Sequence, residues 1–338
     1  MGGPFTSLGP SGTRINVITV SPAGVPGTPV SPNTSMNLLL ALLAGMGLGV
    51  GMILLQHFLD TRIRSEAHLS AISHLPVLAR LRQIRDPQTQ SLVVESAPHT
   101  LAAEEFRRLR TNLQFIDVTT DGKHSFQVTS AMPGEGKTLT SINLALAMAE
   151  GGTRVLLVDC DMRRPSVAKL MGLEGSVGLT TLLLRRASLE DVAQQWRDTT
   201  LDVLPAGSLP PNPGELIASD AMEMLFDQFT SSYDFVIVDA PPVNPVTDPV
   251  LINRLVGGIL MVVRLNQTGK RELTQALRSL ATVDIKVSGF ALNGLPNEGS
   301  DYYGHYHTEP GEQANGRSRK RRASRSTSKR TSSHVDAA

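Results

Sequence analysis

Between residues 131 and 138 the chain reads Ala131-Met132-Pro133-Gly134-Glu135-Gly136-Lys137-Thr138. This is the spacing of a phosphate-binding loop. Gly134 and Gly136 let backbone N–H groups turn inward around phosphate oxygens. Lys137 adds a point charge, and Thr138 offers a hydroxyl to a divalent cation. Glu135 inside the loop and Leu139 just after it complete the candidate nucleotide-binding stretch. Two apolar runs ending in acid follow, Val155 to Asp159 with Asp161 just beyond, and Phe235 to Asp239. Lys137, Asp159, Asp161 and Asp239 are therefore the candidate catalytic residues, and Thr138, Asp161 and Asp239 the candidate ligands of Mg2+. The set predicts binding of a nucleoside triphosphate with magnesium. The loop opens on Ala131 where glycine is usual, a change that costs little if φ there stays negative.

These residues need a scaffold that brings strand ends together. From 125 to 293 apolar runs alternate with helical stretches, with strands expected near 125–130, 154–159, 201–205, 234–239, 258–263 and 286–292. Near-continuous apolar strands imply a sheet covered on both faces. The fold class is therefore α/β, a doubly wound and mostly parallel sheet of the P-loop NTPase type with its ligand at the carboxyl ends of the strands. One transmembrane helix precedes it and a disordered tail follows. A helix is expected over 101–116, with Ala102, Phe106, Leu109, Leu113 and Ile116 at helical spacing. Glu104, Arg107 and Arg110 line its other side.

Met36 to Gln56 is 21 residues without a charge. As a helix it spans roughly 31 Å, enough to cross a bilayer core. Glycines at 45, 47, 49 and 51 would allow close helix packing within it. Arg62, Arg64, Arg80, Arg82 and Arg85 follow the run and only Arg14 precedes it, so the N-terminus is expected outside and the rest in the cytoplasm, as a single-pass protein of the plasma (inner) membrane. The single cysteine, Cys160, cannot form an internal disulfide and fits a reducing compartment. The expected organisation is an outer stump at 1–35, a membrane helix at 36–59, a linker at 60–98, a P-loop domain at 99–296 and a tail at 297–338.

Net charge is +1, yet residues 317–330 carry eight Lys and Arg and no acid. Such a run is either a solvated tail or a contact for anionic membrane lipid; no nucleic-acid partner is expected. Of the four tyrosines, Tyr302, Tyr303 and Tyr306 fall within five residues of the tail. A tyrosine there has no core to fill, which points to use of its hydroxyl.

Taken in order, these pieces resemble the bacterial tyrosine kinases of capsular and exopolysaccharide systems, over about residues 30–306. Ser31-Pro32-Asn33 before the span, and Leu59-Asp60 with Arg62 and Arg64 after it, look like the membrane-proximal end of that family's chain-length regulator. Glu104-x-x-Arg107-x-x-Arg110 looks like its subunit-contact helix. Pro205-Ala206-Gly207, Pro211-Asn212-Pro213 and Glu215-Leu216 are also typical. The resemblance implies an ATP- and Mg2+-dependent tyrosine autokinase that forms a homo-oligomer, with a ring expected. It also implies autophosphorylation at Tyr302, Tyr303 and Tyr306 of a neighbouring subunit, and partners in a polysaccharide polymerase and export machinery and a cognate tyrosine phosphatase. It places Asn293 against the adenine and Asp159 against the incoming tyrosine hydroxyl, with Asp159 and Asp161 interchangeable in role. Asp248 either assists the site or is a helix N-terminal charge. The family's outer domain and first membrane helix have no counterpart before the span. Two rival readings stand beside this one: a membrane-tethered switch ATPase of the partitioning and division-site type, and a non-catalytic nucleotide-binding scaffold. Ala131 and Met132 stand where those ATPases usually carry a second lysine.

Overall fold

The computed structural model describes residues 27, 32–59, 61–84, 92–119 and 123–296. The elements run α1 (Thr34–Leu59), α2 (Glu66–Ser70), β1 (Val77–Arg82), α3 (Val93–Ser96), α4 (Leu101–Thr119), β2 (Ser125–Ser130) and α5 (Lys137–Glu150). Then come β3 (Val155–Asp159), α6 (Val167–Met171), α7 (Leu179–Leu183), α8 (Leu189–Val192), β4 (Gln194–Gln195), β5 (Leu201–Leu204), α9 (Pro213–Ile217) and α10 (Asp220–Ser232). The last are β6 (Phe235–Asp239), α11 (Asp248–Asn253), β7 (Gly258–Arg264), α12 (Lys270–Thr282) and β8 (Gly289–Leu295). The tyrosine cluster at Tyr302, Tyr303 and Tyr306 and the basic run at 317–330 lie outside the described residues.

The eight strands among the described residues form one sheet in the order β1-β8-β7-β2-β6-β3-β5-β4, parallel except where β4 meets β5. The expected α/β class holds, and each expected strand is present within a few residues. Alternate residues face opposite ways, as the period of two demands. Val155 and Leu157 of β3 join a core with Phe106 and Leu109 of α4 and Leu144 and Met148 of α5. Leu156 and Val158 face the other way, into a core with Phe226 and Phe229 of α10. Both faces of the sheet are dry, which is why its strands read as unbroken apolar runs.

Of the segment 60–98, expected as a linker, the described residues 61–84 and 92–98 pack into the sheet domain. Ile63 is fully buried and exchanges backbone hydrogen bonds with Thr268 and Asn266. Strand β1 adds to the sheet edge beside β8. Its Arg82 pairs with Glu105 of α4 at 2.9 Å, and Asn112 of α4 donates to the Leu78 carbonyl at 2.7 Å. The strand is hard to see in sequence because Arg80 and Arg82 interrupt its apolar pattern. Charge on an edge strand also discourages pairing with another chain.

Helix α1 carries the segment Thr34–Leu55, long and apolar enough to cross a membrane. None of its described side chains is buried, so it is no core helix of the sheet domain. The expectation of an apolar span is met in length and composition.

Candidate active site

The site is built where three strands end side by side. Strand β2 leads into the phosphate loop, β6 beside it ends at Asp239, and β3 beyond ends at Asp159. The register aligns Val128 with Asp239 and Asp239 with Asp159, so both acids reach the carboxyl edge of the sheet at one level. After β2 the chain must turn sharply before α5. Gly134 and Gly136 take φ of 84° and 98°, a region costly to residues with a Cβ. Ala131 has no positive φ, which explains why the loop tolerates alanine there. A cavity of about 580 Å3 opens at this edge, lined by Gly134, Gly136, Lys137, Thr138 and Leu139 of the loop and helix, and by Asp161, Arg163, Arg164 and Ser166 after β3. Pro241, Pro242 and Val246 after β6 close another side.

At its floor is a small, nearly dry cluster of charge. Lys137 Nζ lies 2.8 Å from Asp161 and 3.6 Å from Asp239. The Thr138 hydroxyl donates to Asp239 at 2.7 Å, and Ser141 donates to the same carboxylate at 3.1 Å. Ser166 donates to the Thr138 hydroxyl at 3.1 Å. Burial alone would lower the Lys137 ammonium; Asp239 and Asp161 outweigh it and hold the group above its ordinary value. Burial pushes the Asp239 carboxyl up against the opposing pull of Lys137. Burial, then the charge of Asp239, raises Asp159 to about 7. Three acids around one lysine leave surplus negative charge. Asp161, Asp239 and the Thr138 hydroxyl offer oxygen donors there, the type that suits a hard cation such as Mg2+.

The predicted site residues do not all meet at this floor. Asp239 lies fully buried behind Thr138, while Gly134, Gly136, Lys137, Thr138, Leu139 and Asp161 line the cavity. Asp159 does not: one of its oxygens accepts from the Asp161 N–H at 3.1 Å and the other from the N–H groups of Ser166 and Val167, both at 3.1 Å. It ties down the turn after β3. The Glu135 side chain also turns away. It is buried, accepts from the Thr268 hydroxyl at 2.5 Å, and fastens the loop to the turn after β7. Asn293 of β8 donates to the Glu135 carbonyl at 2.9 Å and accepts from the N–H of Gly294 at 2.8 Å, so its amide braces the loop. A Cβ on Gly136 would stand 2.2 Å from that amide. Asp248 opens α11, nearly fully buried, and grips Arg163 through two hydrogen bonds of 2.8 and 3.0 Å. It thus joins the segment after β6 to the segment after β3.

Away from the floor, Arg107 pairs with Glu150 through hydrogen bonds of 2.7 and 2.8 Å, and Arg110 donates to the Ala147 carbonyl at 2.7 Å. Both arginines dock α4 on the end of α5, while Glu104 meets Arg107 more loosely at 3.4 Å. Sequence reading missed Ser141, Ser166, Arg163, Arg164 and Arg264. For the first two nothing in the sequence marks them. Arg163 and Arg164 were findable from their place two and three residues beyond Asp161.

A family model described as an AAA domain matches residues 127–286. Tyrosine-protein kinase YwqD of Bacillus subtilis is 38% identical over 230 residues, covering 68% of this chain and 97% of YwqD. The chain belongs to the bacterial tyrosine-protein kinases. Within that family it also matches tyrosine-protein kinase Etk of Escherichia coli, at 30% identity over 317 residues, covering 88% of this chain but only 43% of Etk. Among solved structures the chimeric protein CapA2B2 superposes with a TM-score of 0.64 at 34% identity, covering 69% of this chain and all of its own. The kinase domain of Etk gives 0.62 at 29% identity, covering 70% and 96%. The short relative is thus matched almost end to end, while the chain spans about two fifths of the long one.

The charge cluster makes stability depend on Lys137 and pH. Carboxyls raised by burial contribute stability below their unfolded value, near 4, and lose it as pH rises through the folded value. Removing Lys137 raises them further. In EDTA, the stability deficit of Lys137→Met relative to the unaltered chain is therefore expected to widen between pH 5.5 and 8, by roughly 1–3 kcal/mol. Thermal unfolding of the full chain in detergent at both pH values checks this, and a constant deficit would contradict it.

Proposed function

We propose that this chain is an ATP-dependent tyrosine autokinase of capsular or exopolysaccharide systems, and that its acceptors are Tyr302, Tyr303 and Tyr306 on a neighbouring copy. The observation that carries the reading is the buried cluster of Lys137, Asp161, Asp239 and Thr138 at the floor of a cavity, in a chain of this family. Lys137 and the loop amides hold the β- and γ-phosphates of ATP. Thr138 and Asp239 hold Mg2+, which when bound supplies neutralisation of phosphate charge. Asp161, at the cavity wall, orients the tyrosine hydroxyl and takes its proton. The bond from Oη to the γ-phosphorus forms as the bond from that phosphorus to the bridging oxygen breaks, and ADP leaves. Such a transfer needs little beyond alignment and charge stabilisation.

The apolar helix α1 anchors the kinase in the membrane with residues before it outside and the sheet domain in the cytoplasm, supported by the arginines that follow the span. The face of α4 bearing Glu104, Arg107 and Arg110 is a candidate contact between copies. Arg107 and Arg110 already serve α5, so any such contact depends on that intramolecular docking being intact.

Two experiments test this reading. The full chain in lipid nanodiscs is incubated with ATP and Mg2+ and its phosphate mapped by mass spectrometry. We expect phosphate on Tyr302, Tyr303 or Tyr306, reduced at least 100-fold in Lys137→Met. ATP hydrolysis without phosphotyrosine would instead favour a switch ATPase. In the second, Arg107→Ala/Arg110→Ala is expected to fall to monomers by light scattering and to lose most autophosphorylation. An unchanged oligomer with a lowered melting point would leave these arginines only the role of holding α4 to α5.

A further inference from the structure

Two neighbouring arginines at the cavity wall have different fates. Arg163 points its guanidinium at Asp248 and is held there by two hydrogen bonds. The backbone N–H of Arg164 is fixed on Asp161 at 3.0 Å, so the residue is anchored at its root. Its guanidinium has no hydrogen bond or ion pair among the described residues, although the side chain lines the cavity and is exposed. Arg264, on another wall, donates to the Gly134 carbonyl at 3.1 Å and so helps hold the loop. Arg164 is thus a rooted cation with an open head.

Where the head stands limits what it binds. The groups suited to hold phosphate, Lys137 and Thr138, are less than one-tenth exposed, whereas Arg164 is at the open rim. The chain also carries a segment of opposite charge. Residues 297–312 read NEGSDYYGHYHTEPGE, with Glu298, Asp301, Glu309 and Glu312 and no lysine or arginine. All three clustered tyrosines fall inside it, and Asp301 adjoins Tyr302. A guanidinium recognises a carboxylate through paired, planar hydrogen bonds, and a charge at a rim steers and selects more than it tightens.

We propose that Arg164 is a specificity-determining residue that selects acidic tyrosine segments, and that its occupant is the 297–312 segment of a second copy, held by a carboxylate beside the acceptor tyrosine. This rests on the tyrosine-kinase reading above. It predicts that acceptors are chosen by the acids around the tyrosine.

The test uses the full chain with Tyr302, Tyr303 and Tyr306 changed to phenylalanine, so that only added peptide accepts phosphate. Synthetic peptide 297–312 is compared with a version whose four acids are replaced by their amides. In Arg164→Ala the KM for the acidic peptide is expected to rise about 3- to 10-fold, as fits a partly exposed ion pair. The KM for the amide peptide should stay unchanged, and Arg164→Glu should prefer a peptide with lysines at those four positions. An equal loss on both peptides, or a matching rise in the KM for ATP, would overturn the proposal and assign Arg164 to the phosphates. Binding of a fluorescent peptide with phenylalanine for tyrosine is measured in parallel. If no tyrosine is phosphorylated while Arg164-dependent binding persists, the kinase reading fails and the docking survives. If binding ignores Arg164, the docking fails whatever the kinase does.

Discussion

The structure turns on a buried charge cluster that is not balanced within itself. Asp159 and Asp239 are fully buried, Asp161 nearly so, and among the described residues Lys137 is the one cation that touches two of them. Isolated charge in such a place would be prohibitively costly. The fold tolerates it because hydroxyls and backbone N–H groups converge on the carboxylates, and because the register of β2, β6 and β3 brings them to one edge. The arrangement makes sense as half of a larger one. When Lys137 turns to phosphate, Asp161 and Asp239 lose their counter-charge and require another cation. In the proposed function, a nucleotide that arrives with a metal would supply it.

Around this floor, the chain braces the loop from several directions. Thr268 holds Glu135, Asn293 and Arg264 hold loop carbonyls, and Asp159 holds the turn that carries Asp161. Asp248 with Arg163 links the segments after β6 and β3. These contacts use groups that the motif alone would assign to the ligand. Preorganisation of this kind is where much of a phosphotransferase's advantage resides, since the chemistry asks the protein for alignment and charge.

What was legible in the sequence follows from range. The loop, the two acid-ended strands and the doubly wound class rest on local pattern, because glycine spacing and unbroken apolar runs carry them. Strand β1 was not legible, since its place depends on pairing with β8 at the far end of the domain and its arginines break the apolar pattern. The partners of Asp159 were equally hidden, because they are N–H groups of residues 161–167 folding back on it. The bonds of Glu135 to Thr268 and of Asn293 to the loop carbonyl were not legible either, because the partners lie far apart along the chain. Arg107 and Arg110 read as a subunit-contact face, and their hold on the end of α5 within the chain could not be seen.

The most direct test of the exchange at Lys137 is calorimetric titration of the full chain with ADP, once with Mg2+ and once with EDTA. If the acids lose their counter-charge as Lys137 moves to phosphate, Mg2+ should tighten binding at least tenfold, and that gain should largely vanish in Asp239→Asn. Equal affinity with and without Mg2+ would mean that Lys137 stays with its carboxylates, and the account of the site would be wrong.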